Sequence, residues 1–189
     1  SFAHTFSEEL KRSLDLEQTH NLVVFRDFDD GRKVLAGETA LTLDSMKQFL
    51  EAVRFPNVMD FDQKSAERIF GAESPAMFYF TDDSNDAGLQ KFGEFAGNNQ
   101  GKILFSYSTV TSGLGARLAE FLGITNDDAP ACRIIKFKGG QLEKFVVDDL
   151  SNEGLTQALT NFLEDSLQAY YKSEPIPETN NEPVKVIVG

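Results

Sequence analysis

Few residues of this chain are of a type that does chemistry. It has one cysteine, Cys132, and two histidines, His4 and His20, in 189 residues. A single cysteine excludes an internal disulfide, a CxxC redox pair and a Cys-rich zinc site. Cys132 lies in the apolar run "CRIIKF", where a free cysteine reads as a small buried core residue and not as a reactive thiol. Neither histidine is near Cys132 in sequence, and both read as ordinary residues. Three aspartate clusters stand out: Asp82, Asp83 and Asp86; Asp127 and Asp128; Asp148 and Asp149. They lack the alternating oxygen ligands and the glycine of a dedicated Ca²⁺ loop, so solvated loops are expected, with weak Ca²⁺ association as the alternative. No metal ligand set and no cofactor motif is visible. What remains is Pro130, in "NDDAPACRIIKF", where a loop bends into a strand. An X-Pro bond at such a bend is read as a structural cis-proline.

The totals narrow the class. Hydrophobic residues make up 41% of the chain, enough for a sizeable core, and 17 Phe with no Trp point to a Phe-rich interior or a Phe-lined pocket. Net charge is −12, spread along the chain: −3 over residues 1–55, −7 over 56–172 and −2 over 173–189. Nucleic acid requires a basic footprint that is not present, and an anionic membrane surface is disfavoured for the same reason. The residues given hold no long apolar span and no signal-peptide pattern.

These residues must be positioned by short alternating elements. "Phe2–Phe6" reads as a strand, Ser7 as the cap of a helix over Glu8–Leu16, and "NLVVFRDF" and "KVLAG" as a hairpin around Gly31. A helix over Leu43–Val53 would present Leu43, Met46, Leu50 and Val53 on one face, at the spacing of an amphipathic helix. "RFPN", Arg54–Asn57, marks a boundary. Beyond it come "VMDF", a helix capped by Asp62 and stopped by Gly71, the buried strand "AMFYF", and a helix over Ala87–Ala96. "KILFSYS" is a third strand, followed by a helix striped by Leu114, Leu118, Phe121 and Leu122. After Pro130, "CRIIKF" turns through Gly139 and Gly140 into "EKFVV", and a last helix runs Asn152–Tyr171 with Leu155, Leu159, Phe162, Leu163, Leu167 and Tyr170 inward. The order β-α-β-α-β-α, then hairpin and helix, is an α/β thioredoxin-like order with Pro130 at that fold's cis-proline position.

The chain also resembles itself. "VVFRDFDDGRKVLAG" and "RIIKFKGGQLEKFVV", each followed by a striped helix, place Gly31 and Gly140 109 residues apart. A period that long means tandem domains and not a solenoid. The first copy holds only the later half of the unit, and the chain ends on the apolar run "PVKVIVG". The expectation is therefore a partial thioredoxin-like unit over 1–55, a whole one over 56–171, a linker over 172–183 and the first strand of a further unit over 184–189.

"DFDDGR", "ERIFG", "GKILF", "RLAEFLGI" and above all "YYKSEPIPETNNEPVKVIVG" resemble, in order and spacing, the middle of a protein disulfide isomerase. The resemblance covers the whole chain: the end of the b domain, the b′ domain, the x linker and the start of a′. It implies a non-catalytic b′-type fold, because the family's CxxC position falls on "DQKSAE", which has no thiol. It implies an endoplasmic-reticulum protein whose b′ domain holds unfolded polypeptides for catalytic a and a′ domains. The family's pocket positions fall on Phe78, Phe80, Phe92 and Ser106, the last in place of a large apolar residue. Asn180 stands where some relatives carry the Trp of the linker flap, leaving Ile176 as its large apolar candidate. Two rival readings remain: an acidic lumenal Ca²⁺ buffer similar to calsequestrin, and a scaffold docking a lectin chaperone through basic b′ residues. Salt separates client holding from the docking scaffold, because charge-based docking weakens steeply with ionic strength and apolar binding does not.

Overall fold

The fold is built on a mixed five-stranded sheet. The computed structural model describes residues 4, 6–16, 20–37 and 41–170. The expected strand at Phe2–Phe6 falls largely outside these residues, and the linker at 172–183 with Ile176 and the strand at 184–189 fall wholly outside them.

The chain opens with α1 (Glu8–Ser13), β1 (His20–Phe25), β2 (Arg32–Gly37) and α2 (Leu43–Val53). Ser7 caps α1 and Thr42 caps α2 through their hydroxyls. β1 and β2 form an antiparallel pair turned by Gly31 at φ +68°, a conformation that glycine adopts without Cβ strain. Of the expected inward face of α2, Val53 is buried and Met46 and Leu50 half-buried, but Leu43 is 62% exposed. Arg26 and Asp29 fasten the hairpin to the segment after α2, Asp29 accepting from the Asn57 amide at 2.7 Å. Arg26, 3% exposed, pairs with Asp29 and Asp30 and donates to the carbonyls of Val53 and Phe55 and to Asn57 Oδ1.

The larger sheet contains β3 (Met59–Asp60), β4 (Ala76–Phe80), β5 (Leu104–Ser108), β6 (Ala131–Lys138) and β7 (Gln141–Val147), in the order β3-β5-β4-β6-β7. β3, β5 and β4 run parallel; β6 and β7 run antiparallel to them and to each other as a hairpin. All five residues of β4 are buried, as a strand covered on both faces requires. The helices are α3 (Gln63–Ala66), α4 (Ala87–Asn98), α5 (Gly113–Leu122) and α6 (Asn152–Leu163). One core packs Met77, Tyr79, Phe105 and Cys132 under Phe92 and Phe95 of α4 and Leu155, Leu159 and Phe162 of α6. The other packs Phe78, Phe80 and Ile135 under Ile69 and α5's Leu118 and Leu122. Strand alternation thus feeds two cores, one on each side of the sheet.

Several expectations are corrected. α6 ends at Leu163, followed by Asp165 at φ +54°, so Leu167 and Tyr170 lie beyond it. Gly71 is not a left-handed stop: it closes a π-helical turn, Glu67–Gly71, and the positive φ falls on Glu73 at +49°. Leu114 and Phe121 of the expected α5 stripe are 40% and 49% exposed. The repeat keeps its 109-residue spacing for β2 and α2 but slips by four residues in β1. Six residues separate Phe25 from its partner Arg32, whereas two separate Lys138 from Gln141.

Candidate functional site

The carboxyl ends of β3, β5 and β4 meet the start of β6 at one end of the sheet. Asp60 pairs with Tyr107, Tyr107 with Tyr79, and Tyr79 with Cys132. Just beyond that row, the Ala129–Pro130 peptide bond is cis, and Pro130 is exposed. The amino terminus of α3 sits at the same end. It is fixed by a reciprocal cap: Asp62 accepts from the Ser65 amide while the Ser65 hydroxyl accepts from the Asp62 amide, satisfying two orphan donors. The first residues of α3, Gln63 and Lys64, carry no thiol.

Cys132 is on β6 with its thiol fully buried, and burial pushes its pKa up to about 12. A thiol of that kind is almost wholly protonated at neutral pH and is neither nucleophile nor ligand. Most of the clustered loop aspartates hold local backbone in place. Asp82 accepts from the Val110 amide, Asp86 caps α4 and accepts from Tyr79 Oη, and Asp128 and Asp149 accept from Thr125 and Ser151 amides. These bonds hold the carboxyls of Asp128 and Asp149 below their ordinary range. Burial, then the Asp86 carboxylate, raises the Tyr79 phenol. Among the described residues no group of three or more His, Cys, Asp or Glu gathers to hold a metal.

The four side chains expected to line one pocket are buried, and Phe92 is in a different core from Phe78 and Phe80. Phe78, Phe80, Phe92 and Ser106 are all 0% exposed. Phe78 and Phe80 share a face of β4, their rings 6.1 Å apart. Phe92 lies across the sheet, stacked at 5.3 Å on Tyr79, so it cannot join Phe78. Strand alternation is the reason: β4 sends Tyr79 towards α4 and its neighbours the other way. Ser106 is beside Phe78 in register, but its hydroxyl donates to the Met59 carbonyl at 2.9 Å. It therefore ties β5 to β3.

What stands over Phe78 is an aromatic row that sequence reasoning missed. Phe61 meets Phe78 edge to face at 5.6 Å, Phe70 meets Phe61 at 6.3 Å, and Phe137 meets Phe70 at 6.0 Å. Phe61, Phe70 and Phe137 are all half-buried, so the row runs from the core to the surface. A signal existed for Phe61, an aromatic set between two aspartates in "MDFDQ". None existed for Phe70 and Phe137, whose neighbourhood depends on a π-helical turn and a strand 60 residues later. Such rings offer contact area without polar demands.

The sheet order, the cis-proline and the two helical layers define a thioredoxin-like protein, and the sequence comparison agrees: the chain belongs to the thioredoxin-like domain family, which matches residues 1–165. Its sequence relatives are protein disulfide-isomerases. It is 31% identical to protein disulfide-isomerase of Gallus gallus over 174 residues, 89% of this chain and 33% of that protein. It is 32% identical to that of Oryctolagus cuniculus over 174 residues, 89% of this chain and 34% of that protein. The chain thus spans about a third of the length of these relatives. Among solved structures it is similar to the zinc-bound form of human ERp44, with a TM-score of 0.54 at 17% identity, covering 72% of this chain and 40% of that one. That likeness concerns the fold. No helix among the described residues is long and apolar enough to cross a membrane.

Proposed function

We propose that this chain is the non-catalytic, polypeptide-holding region of an endoplasmic-reticulum protein disulfide isomerase. Residues 56–171 act as the b′-type domain, and catalytic thioredoxin-like domains of a longer chain supply the thiols. The observation that carries this reading is the aromatic row Phe61–Phe70–Phe137, half-exposed above Phe78 on a scaffold whose helix terminus opposite the cis-proline has no cysteine. The similarity to protein disulfide-isomerases supports it. A site for many unfolded sequences works by apolar area, each buried client side chain contributing about 1.5–3 kcal/mol. Holding a client beside tethered thiols raises their effective concentration. The contact surface proposed is the outward row, with Phe78 and Phe80 as its buried backing.

The test is an NMR titration of the ¹⁵N-labelled full chain with reduced, carboxymethylated ribonuclease as the unfolded client. Amide shifts should cluster at Phe61, Phe70 and Phe137, disappear in Phe61→Ala/Phe70→Ala, and change little between 50 and 500 mM salt. Shifts confined to charged loops, or binding lost in high salt, would reject the apolar reading and favour docking by charge.

A further inference from the structure

At the end of the sheet opposite Pro130, α2 and the starts of β4 and β5 enclose an open cleft of about 800 Å³. That volume falls within the range of small-molecule sites. Its floor is apolar, made by Phe55, Met59, Ile103 and Phe105. Its rim carries three cations from three separate elements: Lys47 of α2, Arg68 of the π-helical turn and Lys102 before β5. One carboxylate, Glu51, also lines it, and that group pairs with Arg54 at 3.1 Å.

Arg68 is the telling residue. Its guanidinium lies 3.4 Å from the centroid of the Phe55 ring, and its Nε is buried without a hydrogen-bond partner. Among the described residues no carboxylate forms an ion pair with Arg68, Lys47 or Lys102. A guanidinium held over an aromatic ring is preorganised to receive a planar or tetrahedral oxyanion. Burial, and then the neighbouring Arg54, lower the Arg68 pKa, with Glu51 acting in the opposite direction.

We infer that this cleft binds a small amphipathic organic anion, an aromatic or aliphatic body bearing one carboxylate or phosphate. The body lies on Phe55, Met59 and Ile103, and the anionic head meets Arg68 with Lys47 and Lys102 on either side. The apolar floor selects against inorganic anions, which leave it wet. The excess of cations selects against neutral bodies of the same shape. This site is on the far end of the sheet from Pro130 and is independent of client holding.

The experiment is calorimetric titration of the full chain with 1-naphthyl phosphate, compared with 1-naphthol and inorganic phosphate, with ¹⁵N amide shifts to locate the site. Saturable binding is expected, with shifts at Ala52, Gly101 and Leu104, and each comparison compound at least about ten-fold weaker. The exposed pair Lys47→Gln/Lys102→Gln should weaken naphthyl phosphate about ten-fold or more while leaving 1-naphthol unchanged. Arg68→Lys, which keeps the charge and loses the fork, should also weaken it. Equal affinity for naphthol and naphthyl phosphate, shifts elsewhere, or indifference to the Lys47/Lys102 substitutions with the fold intact would each overturn the assignment.

Discussion

Truncating Phe78 separates an enclosed core from an open pocket. The ring is 0% exposed, lies 5.6 Å from Phe61 and 6.1 Å from Phe80, and is flanked in register by Ser106 and Arg133. Phe78→Ala leaves a cavity that strands paired on both sides cannot close, at a cost of about 3–5 kcal/mol. Phe78→Leu retains most of the volume and should cost about 1.5 kcal/mol or less. Phe61→Ala removes a half-buried ring with two edge-to-face neighbours, each pair contributing about 0.5–1.5 kcal/mol, so a loss of about 1–2 kcal/mol is expected. Urea unfolding followed by far-UV circular dichroism measures all three, with the slope reporting whether the transition stays the same. A Phe78→Ala cost below about 1 kcal/mol at unchanged slope would refute the reasoning. It would mean that the ring lines a space that can relax, as a ligand pocket does. Phe92→Ala, on the other face, should be as costly as Phe78→Ala, and the two costs should nearly add, because the rings belong to separate cores on opposite faces of the sheet.

Three further outcomes follow from the structure. Cys132 should react with a disulfide reagent at pH 8 at least about a thousand-fold more slowly in the folded chain than in denaturant, because burial lifts its pKa from 9.0 to about 12; rapid native-state labelling would show that β6 opens. Stability should fall in acid. The carboxyls of Asp62, Asp128 and Asp149 are held below their ordinary value by bonds from Ser65, Thr125 and Ser151, and that of Asp165 by Lys136. The unfolded chain therefore takes up protons first, so the contribution is present above about pH 4 and is lost as pH falls through the depressed folded values; a melting temperature flat from pH 5 to pH 2.5 would contradict this. Arg26→Met should cost about 1–3 kcal/mol, because the Val53 and Phe55 carbonyls lose their donor while Asp29 and Asp30 stay partly exposed, and should loosen the hairpin first, read as faster amide exchange in Leu22–Val24 than in β4; equal protection in variant and parent would show that the guanidinium does not fasten it.

The sequence alone determined the local elements and what they lack. Caps at Ser7 and Asp62 located the starts of α1 and α3, apolar periodicity located α2 and α5, and a glycine pair located the β6–β7 turn, because these depend on residues within a few positions of one another. The absence of a thiol at α3 is likewise a property of the string of letters. The site was only partly legible. Phe78 and Phe80 were correctly placed on one face of β4, since alternation is local. That Phe92 lies across the sheet from them follows from which face α4 covers, and no periodicity within α4 records this. That Ser106 spends its hydroxyl on Met59, 47 residues away, required the β3–β5 pairing. Only the tertiary structure brought Phe61, Phe70 and Phe137 into one row and set Arg68 upon Phe55. Burial and neighbourhood are consequences of long-range packing, and the same phenylalanine code serves a closed core and an exposed surface.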